Sequence, residues 1–374
     1  MTLHKTVEFA RKSLLGILLG GVAIILLILL FRLGVLIKDT LFPAKALPAN
    51  HLFGTLPALG FPKNVTDTPF TYNVNTVSGG LPQFPDRLNI YPIKQPQPNL
   101  LNLNKAKSKV LSLDFKDENS KLVPETALDN INYEWQENAG LRRKITFNTV
   151  TFDFKLQSNY LSSLTILGAK ELSDEEHAIN TALSFLTSID QLPKDVDKEK
   201  STIQLLSIID SALSPTTSLS KSQVIKVDLH QKDVAYDLNT GIPQSSGGFK
   251  VIKMSLPILY PNPPGSTMSF WIASGQSLPQ VVAAKYVYKT ADIKPGSEAT
   301  YPVKTAAAAF EELKNGKAYI AAYFGTQNEI AINKIYLAYY LSESSQEYLM
   351  PIIVFEGENG FFAYVSAVKD EWVK

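Results

Sequence analysis

The chain has no cysteine among its 374 residues. That absence excludes disulfide staples, thiolate nucleophiles, Cys-ligated metal sites and a lipid anchor on cysteine. Histidine is nearly as scarce. His4, His51, His177 and His230 fall on separate stretches, and no two have the H-x-x-x-H or H-x-H spacing that sets two imidazoles on one face. No G-x-x-x-x-G-K-[ST], G-x-S-x-G or G-x-G-x-x-G occurs, so no phosphate-cradling loop, nucleophile elbow or dinucleotide turn is encoded. Neither sign of charge is in excess. The 36 Lys and Arg against 35 Asp and Glu leave a net +1, dispersed along the chain, which gives no basic stripe for nucleic acid.

The remaining fragments of motifs have simpler readings. Ser218-Leu219-Ser220-Lys221 has the S-x-x-K spacing of penicillin-binding enzymes, but no S-D-N accompanies it. Lys289-Thr290-Ala291 and Lys304-Thr305-Ala306 both lack the glycine of K-T-G. Asp174, Glu175 and Glu176 could do acid–base work on glycans, yet at the first turn of a helix they complement its dipole. Glu311-Glu312 reads as a solvated face, and Glu356 and Glu358 as a turn. Asp117-Glu118-Asn119 begins like a calcium loop without the glycine at its sixth position. No catalytic residue, cofactor site or metal ligand is assigned.

What the chain does have is one long apolar run. Residues 14–31, LLGILLGGVAIILLILLF, carry no charge over eighteen positions. At about 1.5 Å per residue they cover roughly 27 Å, close to the hydrocarbon thickness of a bilayer. In lipid every peptide group must be satisfied within the segment, so the run predicts a single transmembrane helix over 13–38 behind a tail at 1–12. Lys5, Arg11 and Lys12 precede it, and Arg32, Lys38 and Lys45 follow. The counts tie. Arg11 and Lys12 abut the run, however, while Asp39 offsets Lys38, which orients the N-terminus to the cytoplasm and the remainder outside. Arg32 snorkels to the headgroups. The run exceeds the h-region of a signal peptide and Ala44-Lys45-Ala46 lies far beyond it, so the anchor is expected to be retained. Gly16 and Gly20 form a small-x-x-x-small pair that would let a second helix approach, although glycine is common in membrane helices without that role.

Ten of the 22 prolines lie between residues 39 and 98. Proline fixes φ and removes a donor, so 39–98 is expected to be extended, with short strands at 70–74 and 88–91, and 39–87 to be the linker ahead of the first unit. Three helices are predicted beyond it: 103–113, with Leu103, Ala106, Val110 and Leu113 in one stripe; 174–189, with a Ser173/Glu176 capping box; and 303–313, between Pro302 and Asn315-Gly316. Strands are predicted at 132–136, 142–147, 151–156, 224–229, 250–256, 268–272, 280–288, 318–324, 329–341, 348–355 and 361–368. Asn359-Gly360 marks a hairpin, and the change of phase between Ile332 and Ile335 marks a bulge near Asn333-Lys334. The fold class expected is α+β: tandem units of one helix on an antiparallel sheet of about four strands, divided as 88–160, 161–278 and 279–374. The last unit is rich in aromatics. Tyr336, Tyr340, Phe362 and Tyr364 are either core or a surface for peptide or glycan.

Residues 286–368 run from a strand with Tyr286 and Tyr288 through TAAAAFEELKNGKA, IYLAYYL and YLMPIIVFEG to FFAYVSAV. This pattern resembles the PepSY-like and YycI/YycH-like extracytoplasmic proteins of bacteria, with Pro351 in the third strand and Tyr364-Val365-Ser366-Ala367 in the closing strand. The resemblance implies a non-catalytic domain that inhibits, senses or scaffolds, and no functional residue is carried over with it. The expectation is therefore a membrane-anchored, extracytoplasmic binding, regulatory or scaffolding protein of the cell envelope. Its partners would be the lipid bilayer and another envelope or membrane protein, and not nucleic acid. The alternative is an envelope hydrolase or glycan-processing enzyme with a site between units.

Overall fold

The computed structural model describes residues 20–34, 46–66, 68–168, 174–244, 247–273 and 280–374. Residues 20–34 form helix α1. The rest of the expected 13–38 span, Gly16 included, lies outside the described residues, and no helix among the described residues is long and apolar enough to cross a membrane. The chain divides into two compact units, 1–48 with 239–252 and 49–238 with 253–374.

The first unit holds α1, where apolar residues follow one another from Val22 to Phe31 and Arg32 comes after them. Its apolar side chains are exposed on every face, as the consecutive Leu26 at 52%, Leu27 at 67%, Ile28 at 54% and Leu29 at 58% show. It also holds the middle of a two-stranded hairpin, β10 (Val234–Pro243) and β11 (Phe249–Leu256). There the Leu47 N–H donates to the Gly241 carbonyl at 2.9 Å.

Two large sheets build the second unit. One has nine strands in the order β3 (Glu125–Ala127), β4 (Asn132–Gln136), β5 (Lys144–Asn148), β6 (Phe154–Gln157), β14 (Val281–Tyr286), β13 (Met268–Ala273), β9 (Val224–Gln231), β7 (Val196–Ile209) and β8 (Ala212–Pro215). Its neighbours are antiparallel throughout. The other sheet has eight strands. β1 (Thr71–Val74), β17 (Glu329–Tyr340), β18 (Tyr348–Gly357), β19 (Phe361–Ser366) and β16 (Tyr319–Ala322) form its main path, joined by β2 (Arg87–Pro92), β12 (Ile258–Leu259) and β15 (Ala299–Pro302). Both β1 and β12 lie parallel to β17.

The fold is thus α+β, and the expected series of three small antiparallel units is replaced by two large sheets. β14, assigned by sequence to the last unit, pairs with β6 and β13. β1, expected within the linker, and β2, at its end, pair with strands of the C-terminal sheet. The reason is general: a strand's free N–H and C=O edge is satisfied by whichever chain packs beside it, and sequence distance does not decide which that is.

The helices follow local signals more closely. α2 (Asn102–Ser112) buries Ala106 and Val110 on the nine-stranded sheet. A four-residue turn, α3 (Leu164–Leu167), buries Ile166. α4 (Glu175–Ser188) is capped by Asp174, whose carboxylate accepts the His177 N–H at 2.7 Å, and packs Ala178, Ala182 and Leu186 on the same sheet. Ser173 of the expected capping box lies outside the described residues, and Glu176 pairs with Lys198 at 3.0 Å. α5 (Ala306–Lys314) begins three residues later than predicted because Pro302 still belongs to β15; Thr305 caps it, and Gly316 closes it at φ +69°.

The bulge falls where the phase change put it. Ile332 faces Gly357 and Lys334 faces Glu356, leaving Asn333 as the extra residue, so Ile332, Ile335, Leu337 and Tyr339 all enter one core. Asn359 and Gly360, at φ 53° and 65°, turn β18 into β19 in the left-handed pair of conformations that a tight hairpin requires.

Candidate functional site

Where the two sheets meet, the second unit carries a cleft of about 540 Å³. One wall is the β5–β6 turn with Val150, Thr151 and Asp153; the other is Ile93–Pro96 with Glu343, Ser345 and Gln346 of the β17–β18 loop. Tyr288, Lys289 and Thr290 lie between them.

Local chemistry fixes each wall. The Asn148 side chain accepts the N–H groups of Val150 and Thr151 at 2.9 and 3.0 Å, and Phe152 takes φ 59°, which swings Asp153 out of the turn. The Lys94 N–H donates to the Thr290 carbonyl, and the Ile93 N–H to that of Glu347, both at 2.8 Å. Gln346 holds the loop by donating to the carbonyls of Tyr340 and Tyr348 at 2.9 and 2.8 Å. Behind Tyr288 its hydroxyl donates to Asp195 at 2.8 Å, and Gln231 donates to the other oxygen of Asp195 at 2.8 Å and to the Lys289 carbonyl at 3.2 Å. Such a network orients the residues without occupying the cleft.

Charge in the cleft is strained. The Asp153 carboxylate accepts the Tyr288 N–H at 3.3 Å, and burial raises its pKa above the usual carboxylate value despite Thr151, that N–H and Lys289. Burial likewise lowers the Lys289 pKa, against the pull of Asp153 and Glu343. The Lys289 ammonium donates to the Ser342 carbonyl, whereas Glu343 is held by Lys285 at 2.6 Å. Because the folded pKa of Asp153 lies above its unfolded one, its charge costs stability at neutral pH, and that cost disappears as pH falls through the folded pKa. Asp153→Asn is therefore expected to raise the melting temperature near neutral pH, with the gain vanishing below the ordinary carboxylate range. Thermal melts across pH test this, and an unchanged or lowered melting temperature at neutral pH would contradict it.

The residues singled out by sequence lie elsewhere. Gly20 is helical and exposed, with no atom near the position of an added Cβ. Tyr336 and Tyr364 flank Val354 across β17, β18 and β19. Tyr340 and Tyr364 are fully buried, while Tyr336 and Phe362 are half-buried beside them. Leu59 and Phe61 cover this face, the Phe61 ring standing 5.3 Å from Tyr319, 4.9 Å from Tyr340 and 6.5 Å from Tyr364. Tyr364 donates to the Tyr260 carbonyl at 3.2 Å. His177 is exposed on α4, His230 stands on β9 beside Thr202, and His51 stacks on Trp372 at 3.7 Å. His4 lies outside the described residues. Ser218 meets Ser220 rather than Lys221, and Asp117 closes its own turn by accepting the N–H groups of Asn119 and Lys121. Among the described residues no group of three or more His, Asp and Glu could hold a metal ion.

Sequence reasoning missed Asp153, Lys289 and Glu343. Asp153 was absorbed into a predicted strand and Lys289 into an incomplete K-T-G. An Asn four residues before an aromatic-acid pair, Asn148 before Phe152-Asp153, was the available signal for a turn.

The molecule these features define is an α+β protein with two broad sheets and a charged cleft at their junction. No family model matches the chain, and no curated protein matches it. Among solved structures it is similar to the C-terminal domain of YpeB from Bacillus megaterium, at 9% identity over 74% of this chain and 95% of that one, with a TM-score of 0.30. It is also similar to an uncharacterised protein from Eubacterium rectale, at 11% identity over 82% and 92%, with a TM-score of 0.32. Likenesses this slight carry no argument about activity.

Proposed function

We propose that this chain is a membrane-anchored binding or scaffolding protein of the cell envelope, with its N-terminus in the cytoplasm and its sheets outside. The observation that carries the reading is the apolar run: α1 presents the consecutive residues Leu26, Leu27, Ile28 and Leu29, which point to successive sides of the helix, all outward. A helix that is apolar all round needs lipid or other helices to cover it. Residues 14–31 supply enough such positions to reach across a bilayer. The cleft is the surface through which the sheets bind a ligand, and confinement to a membrane raises the effective concentration of any protein partner in the same membrane.

The missing cysteines make the test clean. Thr2→Cys and Ser220→Cys each introduce the only thiol in the chain. In intact cells a membrane-impermeant maleimide is expected to label Ser220→Cys and to reach Thr2→Cys only after permeabilisation, with both proteins in the membrane pellet after a carbonate wash. Release into the wash would remove the anchor, and the opposite labelling pattern would reverse the orientation.

A further inference from the structure

The cleft holds an acid and a base that burial penalises and that attract one another without forming an ion pair. Among the described residues no ion pair within 4.0 Å joins Asp153 to Lys289; Lys289 reaches a backbone carbonyl, and Glu343 is taken by Lys285. A carboxylate has about four lone-pair sites, and Asp153 fills few of them: the Tyr288 N–H reaches it at 3.3 Å and the Thr151 side chain lies beside it, its hydroxyl accepting the Asp153 backbone N–H at 3.2 Å. An ammonium has three protons, of which the Ser342 carbonyl takes one. Two opposite charges partly desolvated in one cleft without an ion pair between them are costly in the empty protein, and a ligand carrying the complementary pair relieves both costs together. Thr290, Ser345 and Gln95 line the same space; the Gln95 amide donates to the Ile93 and Gln346 carbonyls at 3.2 and 3.0 Å, which leaves its oxygen as an acceptor. A volume of about 540 Å³ suits a small molecule rather than a folded domain.

We propose that the cleft binds a short zwitterionic peptide, its free ammonium on Asp153 and its free carboxylate on Lys289. This rests on reading the cleft as the binding surface and is independent of the membrane topology, so either can fail alone. Specificity comes from both ends at once: a ligand lacking one charge leaves one half-buried group unpaired.

Calorimetric titration of the full chain in detergent with alanyl-alanine, its N-acetyl form and its C-terminal amide tests the assignment. The unmodified dipeptide is expected to bind about tenfold or more tightly than either blocked form, the loss of one charge-assisted hydrogen bond. Asp153→Asn is expected to abolish discrimination against the acetyl form while retaining it against the amide, and Lys289→Met to do the converse. Each ratio is taken on one preparation, where partial unfolding lowers the stoichiometry and leaves the ratio of affinities intact. The wild-type ratios need no variant at all. Equal affinity for the three compounds, no binding by any of them at millimolar concentration, or unchanged discrimination in both variants would overturn the proposal.

Discussion

Arg143→Met is expected to destabilise the nine-stranded sheet by about 3–5 kcal/mol, the range for breaking a buried ion pair from one side. The Arg143 and Glu137 side chains are only 7% and 12% exposed. The guanidinium meets Glu137 in a fork, Nε to Oε2 at 2.9 Å and Nη2 to Oε1 at 2.6 Å. Two of its three remaining protons go to the Leu113 carbonyl at 3.0 Å and that of Asp114 at 3.1 Å, so it also caps the end of α2. The plane of the group lies over Phe115 at 4.4 Å. Methionine keeps some of that packing, but it strands a carboxylate in the interior and frees two carbonyls. The double variant Arg143→Met/Glu137→Leu removes both charges and should recover much of the loss, because the penalty lies in the unpaired partner rather than in the missing attraction. Denaturant titration of the three proteins measures both effects. A single-variant loss below about 1 kcal/mol would class the pair with exposed ion pairs and defeat this account.

Tyr364→Ala is expected to cost about 3–5 kcal/mol, as a large-to-small change in a core does. The ring is fully buried among Tyr319, Tyr340 and Phe61, and its hydroxyl is bonded to the Tyr260 carbonyl. Truncation therefore opens a cavity and strands a polar group. Phe362→Ala, at a half-buried neighbour on the same strand, is expected to cost clearly less. The comparison separates the two readings that the sequence left open. An aromatic serving as a binding surface contributes little to stability, whereas one in the core contributes much. A Tyr364→Ala protein as stable as wild type would return the residue to the surface.

Three helices, the Asn359-Gly360 hairpin and the Asn333 bulge were legible because each depends on residues close in sequence: a cap, an apolar stripe, a turn pair, a change of phase. The aromatics of β17 to β19 were ambiguous for a reason equally physical. Alternation sends successive side chains to opposite faces, but here both faces are covered. α5 and its neighbours lie against one, where Ile335, Leu337 and Tyr339 point; Leu59 and Phe61 lie against the other, where Tyr340 and Tyr364 point. Nothing in the local pattern announces that a proline-rich linker will supply the second cover. The cleft was illegible for the same reason, since Asp153, Lys289 and Glu343 stand more than 50 residues apart along the chain at their closest, on segments that only sheet pairing brings together.

By itself the sequence determined the apolar run, the want of thiol and clustered-histidine chemistry, the α+β class and the positions of its turns and caps, because these follow from composition and from interactions a few residues long. The tertiary structure alone decided that β1 and β2 complete the C-terminal sheet, that β14 crosses into the other, and that an acid and a base face one cleft without pairing. Strand edges and desolvation are settled by what packs alongside, and the chain's order does not contain that information.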